Sequence, residues 1–559
     1  MSKRLMALLS TLLILSLLAG CAAPVAAPAG EQAAAPEAAA PEAAAGEAPE
    51  QVIIGGFDVG PGGDPQVIPY FNGAGTTWMS KLYTPLVMMS SDFSELTPEG
   101  SLSESWESNE DMTTWTFNLR PGVKWHDGEP FTAEDVKFTF KLVNDPESVT
   151  INTGIYGGPI SIVEGLQEYR DGTADDVSGI VVVDDNTVQF NLTAPNPRFP
   201  DLLRWTFILP EHALQDMPVA EMREWDWWFT NPVGTGPFKF SAYERDQYME
   251  LVGNPDYWDG APKLDKLINR YFADETAAVL ALQAGDIDFT YVSADVAKSM
   301  EGDAGFSVFS GPSYVGNFLI FNARHPQWQD ENVRKAFLYG IDRQSIVDDI
   351  YQGSAVVAPC ADPFDTYWPA DADPYAYDPE KAKQLLADAG YDTSATYELP
   401  TYYTGQLAND VVQAFQAYLS EIGVSVTPRF MEPAAWRAIV EGDLNYDIAY
   451  RGMGAAPAQF PEQFYVPGGY PTLEGGYYGI DDPELTGLID AMNATTNFED
   501  YKAARTAICS YMNQTALQPF MWVSTRYGIA RDGLENFYYF PAPGGGPYVD
   551  HSETWSVAK

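Results

Sequence analysis

The sequence predicts an α/β protein of about three domains. In its second half, strand and helix patterns alternate: Asp342 stands at the cap of a helix over 343–351, and Asp378 at the cap of a helix that begins at Pro379. A helix over 408–422 then closes at Gly423, and a strand over 424–426 follows. Such alternation predicts a mixed sheet covered by helices. Residues 101–192 are instead dominated by strand patterns, including a hairpin over 181–192. An unbroken apolar run predicts a strand over 318–321, and a further strand is predicted over 519–523. The chain has 559 residues, and at roughly 150 residues per domain this length predicts about three domains.

The first residues have the pattern of a secretory leader. Lys3 and Arg4 precede an apolar run over 5–18, which is too short to span a bilayer, and small residues follow up to Cys21. This order of basic, apolar and small residues is typical of a signal peptide. The sequence Leu-Ala-Gly-Cys resembles the bacterial lipobox, which implies that Cys21 is lipidated and becomes the mature N-terminus. A plain signal peptide with an incidental cysteine is the alternative.

The next segment predicts a tether. Residues 22–50 are almost only Ala, Pro, Glu and Gly, and such a composition cannot bury enough apolar surface to fold. No later run is long and apolar enough to predict a membrane-spanning helix. We therefore assign the leader to 1–20, the tether to 21–50 and the folded body to the residues from 51 onward.

Composition and spacing argue against several classes of function. The formal net charge is −47, whereas nucleic-acid binding needs a basic face, so we expect no nucleic-acid partner. The four histidines have no metal-ligand spacing and no GxSxG turn is present, so the sequence predicts no metal centre, no cofactor and no common hydrolase site. Cys360 and Cys509 could form a disulfide in an oxidising compartment, but the sequence leaves this open.

The stretch 101–140 carries the most specific pattern in the chain. Trp115, Phe117 and Leu119 alternate with polar residues, as in a half-buried strand. A polar turn joins this strand to the one before it. Thr132 then stands at the position of a helix N-cap, with acidic residues in the first turn after it.

This stretch resembles the signature of family 5 extracellular solute-binding proteins, the oligopeptide- and dipeptide-binding receptors of ABC importers. Two further motifs support the resemblance, NPVGTGPF at 231–238 and VRKAFLYGIDRQSIV at 333–347. The resemblance implies a two-lobed, periplasmic-binding-protein-like α/β fold (type II, cluster C) with an additional inserted domain. It also implies a non-catalytic receptor that closes its lobes on a ligand and is then recognised by the transmembrane subunits of an ABC permease.

The resemblance further implies how the chain is divided. Crossovers near 308–312 and 522–527 would join the lobes as a hinge. We expect a monomer in the cell envelope, at the outer face of the cytoplasmic membrane or in the periplasm, held by the lipid anchor. The implied segments are a core domain of lobe 1 over 51–95, 200–308 and 525–559, an inserted domain over 96–199, and lobe 2 over 309–524.

One loop is the first set of candidate ligand contacts. In peptide-binding members of the family, a loop resembling GWxxD follows a strand of the second lobe; its aromatic lines the cavity and its Asp pairs with the peptide α-amino group. The matching stretch runs from Arg451 through Gly452 to Gln459, but Met453 stands in place of the aromatic and Ala456 in place of the Asp. We predict ligand contacts from Arg451, Gly452, Met453 and Gln459.

The missing aspartate bears on what the ligand is. A desolvated ammonium without a counter-charge is costly, so we expect no anchor for a free N-terminal amine unless Asp447 or Glu462 supplies the carboxylate. Peptides are the predicted ligands, with oligosaccharides or another small solute as the alternative. A secreted hydrolase and a purely structural lipoprotein are the alternatives from other classes.

Aromatic residues are the second set of candidates. The chain has 14 Trp and 32 Tyr; we expect most of them in cores, although aromatic faces suit sugars as well as peptide side chains. Three tryptophans fall on elements that border the cleft in the family, and a tyrosine adjoins one of them. These candidates are Trp78, Tyr367, Trp368 and Trp522.

Overall fold

The computed structural model describes residues 51–58, 76–91, 95–151, 162–204, 206–245, 247–403, 405–454, 465, 478–537 and 548–558. Every described residue belongs to one compact unit, Glu50–Lys559. The predicted leader and tether, with Cys21, therefore lie outside the described residues.

Strands, numbered in chain order, occur throughout this unit. They are β1 (Val52–Asp58), β2 (Met88–Met89), β3 (Leu96–Thr97), β4 (Ser103–Ser108), β5 (Thr114–Leu119), β6 (Ile180–Asp184), β7 (Thr187–Asn191), β8 (Phe238–Glu244), β9 (Tyr248–Gly253), β10 (Lys266–Phe272), β11 (Phe289–Val292), β12 (Phe306–Phe321), β13 (Ala355–Val357), β14 (Thr396–Thr401), β15 (Ser425–Phe430), β16 (Ile448–Gly454), β17 (Phe520–Arg531), β18 (Leu534–Glu535) and β19 (Ser556–Val557).

Helices separate many of these strands. They are α1 (Thr76–Leu82), α2 (Ala133–Asn144), α3 (Pro146–Ile151), α4 (Leu166–Arg170), α5 (Phe199–Leu203), α6 (Glu211–Leu214), α7 (Trp227–Thr230), α8 (Glu275–Ala284), α9 (Ala294–Met300), α10 (Glu331–Gly340), α11 (Arg343–Ser345), α12 (Pro379–Asp388), α13 (Gly405–Glu421), α14 (Pro433–Arg437), α15 (Pro483–Asn493) and α16 (Phe498–Thr515). Short 3₁₀ turns occupy Val219–Glu224, Pro326–Trp328, Asp365–Tyr367 and Ser552–Thr554, and π-helical turns occupy Ile346–Ile350 and Ala438–Gly442.

The predicted helix caps are confirmed. Thr132 caps α2 in a capping box with Asp135, whose carboxylate accepts from the Thr132 backbone N–H at 2.9 Å. The Asp378 carboxylate accepts from the first turn of α12, and Asp342 does the same for α11. The helix expected over 343–351 differs in form, because a π-helical turn continues from the short α11.

A large mixed sheet runs through the unit in the order β16-β12-β17-β11-β1-β10-β9-β8, and β13 also pairs with β17. Strand β1 lies parallel to β10 and β11, whereas the neighbouring pairs in this sheet are antiparallel. A separate antiparallel sheet, β4-β5-β7-β6, contains the hairpin predicted over 181–192. Strands β14 and β15 form a parallel pair. The predicted mixed α/β architecture is confirmed.

Buried apolar side chains define two lobes. Two cores are built from residues between 318 and 523, on opposite faces of β12: Phe318 and Ile320 enter one core, and Leu319 and Phe321 enter the other. This explains the unbroken apolar run, because a strand covered on both faces has no solvent-facing side. We call the body around these two cores the second lobe. The first lobe surrounds the remaining cores.

The stretch 101–140 and the NPVGTGPF motif at 231–238 meet in the first lobe, where their contacts stabilise the fold. His126 Nδ1 accepts from the Gly234 N–H at 3.1 Å, and its Nε2 donates to the Gly236 carbonyl at 3.0 Å. A Cβ on either glycine would collide with the backbone of Lys81 or Leu82 at the end of α1, so only glycine allows this approach. Burial lowers the pKa of His126 to about 4, which keeps the bonded imidazole neutral.

Candidate functional site between the lobes

Strands β12 and β17 cross together from the first lobe to the second. Pro312 pairs with Thr525 and Gly316 pairs with Val523, so β12 advances by four residues where β17 advances by two. The additional residues form a bulge, in which Tyr314 has a φ of 52°, a left-handed conformation uncommon outside glycine. The lobes are therefore joined by a bulged, two-stranded ribbon.

This ribbon contains both predicted crossovers, near 308–312 and 522–527. They are paired strands here rather than separate loops. Bulges bend and twist a ladder locally while its hydrogen bonds persist on either side. Beside the ribbon, the Lys298 ammonium of the first lobe donates to the Gln352 carbonyl of the second. The ribbon is the candidate hinge.

Several strand ends of the second lobe meet next to the bulge. Val315 pairs with Gly454 at the end of β16, and β14, which ends just before Tyr402 and Tyr403, lies beside β16. Polar and aromatic groups from three strands therefore converge beside the hinge. We call residues 314–317, 402–403 and 451–454 the cleft edge.

Hydrogen bonds fix the two tyrosines of the cleft edge. The Tyr402 hydroxyl donates to the Gly452 carbonyl at 3.0 Å, and the Tyr403 hydroxyl donates to Asn317 Oδ1 at 3.2 Å. The buried Asn317 amide in turn donates to Ser524 Oγ at 3.1 Å, which ties β12 to β17. Both tyrosines are half-buried, so their side chains are held in place and remain partly exposed.

Gly452 is required for this packing. A Cβ at this position would collide with the Tyr403 hydroxyl and lie 2.9 Å from Val315 Cγ1. A larger residue must therefore displace either the tyrosine or the hinge bulge. The glycine predicted as a ligand contact thus has a structural reason to be glycine, whatever it touches.

Arg451 lies on the other face of β16. Its Nη1 is 3.3 Å from Glu441 Oε1, and its guanidinium lies 5.3 Å from the centre of the Trp436 ring. The Arg451 side chain is 12% exposed. The arrangement provides a cation whose charge is balanced by a neighbouring carboxylate and whose flat face is covered by an indole. An incoming anionic group would have to compete with Glu441.

The loop after β13 is anchored to α16. A disulfide joins Cys360 to Cys509, with a Cα–Cα separation of 5.4 Å; the sequence had left this pairing open. Two residues further on, the buried Asp362 carboxylate accepts from Arg505 Nε at 2.8 Å. The Trp368 indole N–H donates to the Asp362 carbonyl at 2.7 Å. A covalent bond and a buried ion pair therefore hold this loop.

The predicted site residues lie in different surroundings. Trp368 is half-buried beside the anchored loop, and Trp78 lies in α1. Tyr367 is buried with its ring 3.9 Å from the Arg505 guanidinium. Trp522 is fully buried against Phe415. Ligand contact by the last two stays a prediction, for which this structure offers no open surface.

The predicted loop is described in part. Met453 lies in β16 and pairs with Gly316, beside Gly452 and Arg451. Gln459, with Ala456 and Glu462, lies outside the described residues. Asp447 directly precedes the start of β16, about 23 Å from Gly454 at roughly 3.3 Å per residue. Its carboxylate is bonded to His325 and Gln327, so it is badly placed to serve as an amine anchor at the cleft edge.

Three residues of the cleft edge were missed by sequence reasoning: Asn317, Tyr402 and Tyr403. The adjacent tyrosines directly after a strand were an available signal, because strand ends are where a sheet presents side chains to a neighbouring cleft. Asn317 gave a weaker signal, as a polar residue directly before the apolar run of β12.

Two further features are absent from the described residues. No group of three or more His, Cys, Asp or Glu among them is placed to hold a metal ion. Within the same part of the chain, no helix combines the length and apolarity needed to cross a bilayer.

Two lobes joined by a paired ribbon, with a polar and aromatic edge beside it, are the architecture of a solute-binding protein. The chain belongs to the bacterial extracellular solute-binding proteins, family 5: the profile described as "Bacterial extracellular solute-binding proteins, family 5 Middle" matches residues 97–472. The family resemblance and the two-lobed fold predicted from sequence are confirmed.

Relatives and solved structures agree with this assignment. A Brucella melitensis protein named as an ABC transporter peptide-binding protein is 37% identical over 521 residues, covering 91% of this chain and 94% of that protein. The oligopeptide-binding protein AppA of Bacillus subtilis is 27% identical over 478 residues, covering 82% of this chain and 83% of its own. The structure of AppA in complex with a nonapeptide covers 92% of this chain and 100% of that chain, at 24% identity and a TM-score of 0.72, which supports the fold.

Proposed function

We propose that this protein is the extracytoplasmic receptor of an ABC importer, which captures peptides between its lobes and delivers them to the membrane permease. The observation that carries the proposal is the 37% identity to a protein named as peptide-binding, maintained over 91% of this chain. The cleft edge supports it, since half-buried tyrosines and a hinge ribbon suit a ligand enclosed by lobe closure.

Ligand contacts are proposed at and beside the cleft edge. Trp368 supplies an aromatic surface, and Arg451 supplies a cation for a carboxylate or carbonyl group of the ligand. Backbone groups of Gly452 and Met453, at the end of β16, provide hydrogen bonds to an extended peptide. Trp78 and Gln459 are proposed as further contacts from the first lobe and from the loop that follows β16.

The receptor is proposed to act without catalysis and as a monomer. The receptor changes between an open and a closed form. A ligand shifts this equilibrium toward the closed form only to the extent that it binds that form more tightly. The closed form is the one that the transmembrane subunits of the permease are proposed to recognise.

Lipid modification of Cys21 is proposed to hold the protein in the cell envelope, at the outer face of the cytoplasmic membrane or in the periplasm. The lipobox-like sequence and the Ala/Pro/Glu-rich segment over 22–50 support this. Cys21→Ser should release the protein from the membrane fraction and leave its circular dichroism spectrum unchanged. A serine variant that still sediments with membranes would refute the anchor.

The ligand class is tested by native mass spectrometry of gently purified protein, followed by calorimetry with the peptides found. We expect co-purifying masses that match peptides and that are lost on unfolding. Masses that match oligosaccharides would replace the peptide proposal by its alternative. Steady turnover of either class by the pure protein would point instead to a hydrolase.

A further inference from the structure

One side chain of the first lobe reaches the second lobe at a place separate from the hinge ribbon. The Arg198 guanidinium lies 3.5 Å from the centre of the Tyr501 ring. Arg198 directly precedes α5, whose Phe199 and Leu203 belong to a first-lobe core, whereas Tyr501 belongs to a second-lobe core. The contact therefore bridges the lobes. A guanidinium stacked on a ring at this distance is a favourable cation–π interaction.

The first-lobe partner is oriented by its own helix. Arg198 Nη2 is 2.6 Å from Asp201 Oδ2, one turn further along α5, and both side chains are less than one fifth exposed. The ion pair fixes the direction in which the flat face of the guanidinium points. Little side-chain entropy is then left to lose when this face meets the tyrosine.

The second-lobe partner is held even more firmly. Residues 501, 505 and 509 are spaced by four and share one face of α16. Tyr501 is 2% exposed, and its hydroxyl accepts from Arg505 Nη1 at 3.2 Å. Arg505 is locked by Asp362, and Cys509 is bonded to Cys360 on the same loop. Tyr501 is thus a rigid docking point on the second lobe.

We propose that Arg198 is a positioning residue for ligand capture, which touches no ligand but holds the lobes together through Tyr501 and so raises the closed fraction of the receptor. The proposal rests on the proposed function, since closure is what captures the ligand. Removal of the contact should shift the open-to-closed ratio by about two- to thirty-fold toward the open form, the range of single cation–π interactions.

The test uses ligand-free protein, verified as such by native mass spectrometry, so failure to bind peptides and failure of this contact are distinguishable. Small-angle scattering compares the wild type with Arg198→Ala and with Arg198→Lys, which keeps the charge but loses the flat face. The matched control is Lys381→Ala, because Lys381 lies 3.7 Å from the centre of the Tyr339 ring within the second lobe alone.

We expect Arg198→Ala to have a larger radius of gyration than the wild type, Arg198→Lys to lie between them, and Lys381→Ala to match the wild type. Thermal unfolding checks that each variant is folded; should Arg198→Ala be unfolded, the comparison rests on Arg198→Lys. Scattering curves of the folded Arg198 variants that superimpose on the wild-type curve would overturn the proposal. Equal opening by Lys381→Ala would overturn it as well, since the effect would not then be specific to the bridge.

Discussion

Arg505 and Asp362 form an ion pair in the interior of the second lobe, with 2.8 Å between Nε and Oδ2 and at most 1% of either side chain exposed. The pair joins the helix that carries Tyr501 to the loop that carries Trp368. A buried pair of this kind is expensive to break from one side, because the remaining charge keeps its desolvation cost and loses its partner.

Breaking this pair should be strongly destabilising. Asp362→Asn leaves the Arg505 guanidinium buried without a counter-charge, so we expect the free energy of unfolding to fall by about 3–5 kcal/mol in urea titrations. The matched control is Glu398→Gln, which breaks the exposed pair with Arg429 and should cost less than about 1 kcal/mol. Equal losses from the two variants would contradict the argument from burial.

The disulfide should stabilise the second lobe substantially. It joins cysteines separated by 149 residues, and cross-links that close long loops restrict the unfolded chain most. We expect Cys360→Ser/Cys509→Ser to lower the free energy of unfolding by about 2–5 kcal/mol. Wild-type protein titrated with a thiol reductant present should lose a similar amount, and the double variant should not respond to the reductant.

Substitution of Gly452 should disturb the cleft edge. The Cβ of Gly452→Ala collides with the Tyr403 hydroxyl, and overpacking of this kind costs about 1–3 kcal/mol. Tyr403→Phe removes that hydroxyl, so the double variant should recover part of the loss. The control is Gly487→Ala in α15, where an added Cβ meets no atom within 4 Å; it should be neutral or stabilising by up to about 1 kcal/mol. Thermal unfolding of the wild type, Gly452→Ala, the double variant and Gly487→Ala measures these differences in stability.

Acid should weaken the scaffold of the first lobe through His126. Burial lowers the pKa of this imidazole from 6.5 to about 4, so between these values the unfolded chain binds a proton that the folded chain does not. Stability is therefore lost as the pH falls from 6.5 toward 4, by at most about 3 kcal/mol. The free energy of unfolding, measured by urea titration at several pH values across this window, should depend less on pH for His126→Gln than for the wild type. An equal pH dependence of the free energy of unfolding in the two proteins would mean that other groups cause the acid sensitivity.

A peptide ligand should bind without help from its free amine. From the family resemblance we predict that Ala456 stands in place of the family aspartate, and the Asp447 carboxylate is already bonded to His325, just before the start of β16. Affinity would then depend on backbone and apolar contacts, so N-acetylation of a peptide found to bind should change its Kd by less than about tenfold in calorimetry. A loss of two orders of magnitude, roughly 3 kcal/mol, would require a carboxylate on the amine, and Glu462 would be the first residue to substitute.

Local rules predicted local structure well. Thr132, Asp342 and Asp378 cap helices where the sequence placed caps, because capping depends on residues a few positions apart. The hinge ribbon could not be obtained in this way. Short strands were expected at 318–321 and 519–523, whereas β12 and β17 continue through both lobes, since each strand is completed by a partner about 200 residues away.

The site was harder to predict than the fold. Trp522 lies on a strand beside the hinge, as expected, but faces the core around Phe415 and Tyr450. Alternation along a strand separates two faces without telling which of them meets a cleft. The position of Tyr403 is fixed by its hydrogen bond to Asn317, a residue that only the fold brings next to it.

The pairing of β17 also sets the order in which the polypeptide can fold as it is made. This strand lies between β11 of the first lobe and β12, yet it begins only at Phe520. A nascent chain that has not reached this residue lacks a central strand of its largest sheet, and β11 waits for a partner that emerges more than 200 residues later. Contacts of such long range form late. The largest sheet therefore remains incomplete through most of translation. In this state the chain can still pass through a translocation channel, and its unpaired strand edges are accessible to chaperones.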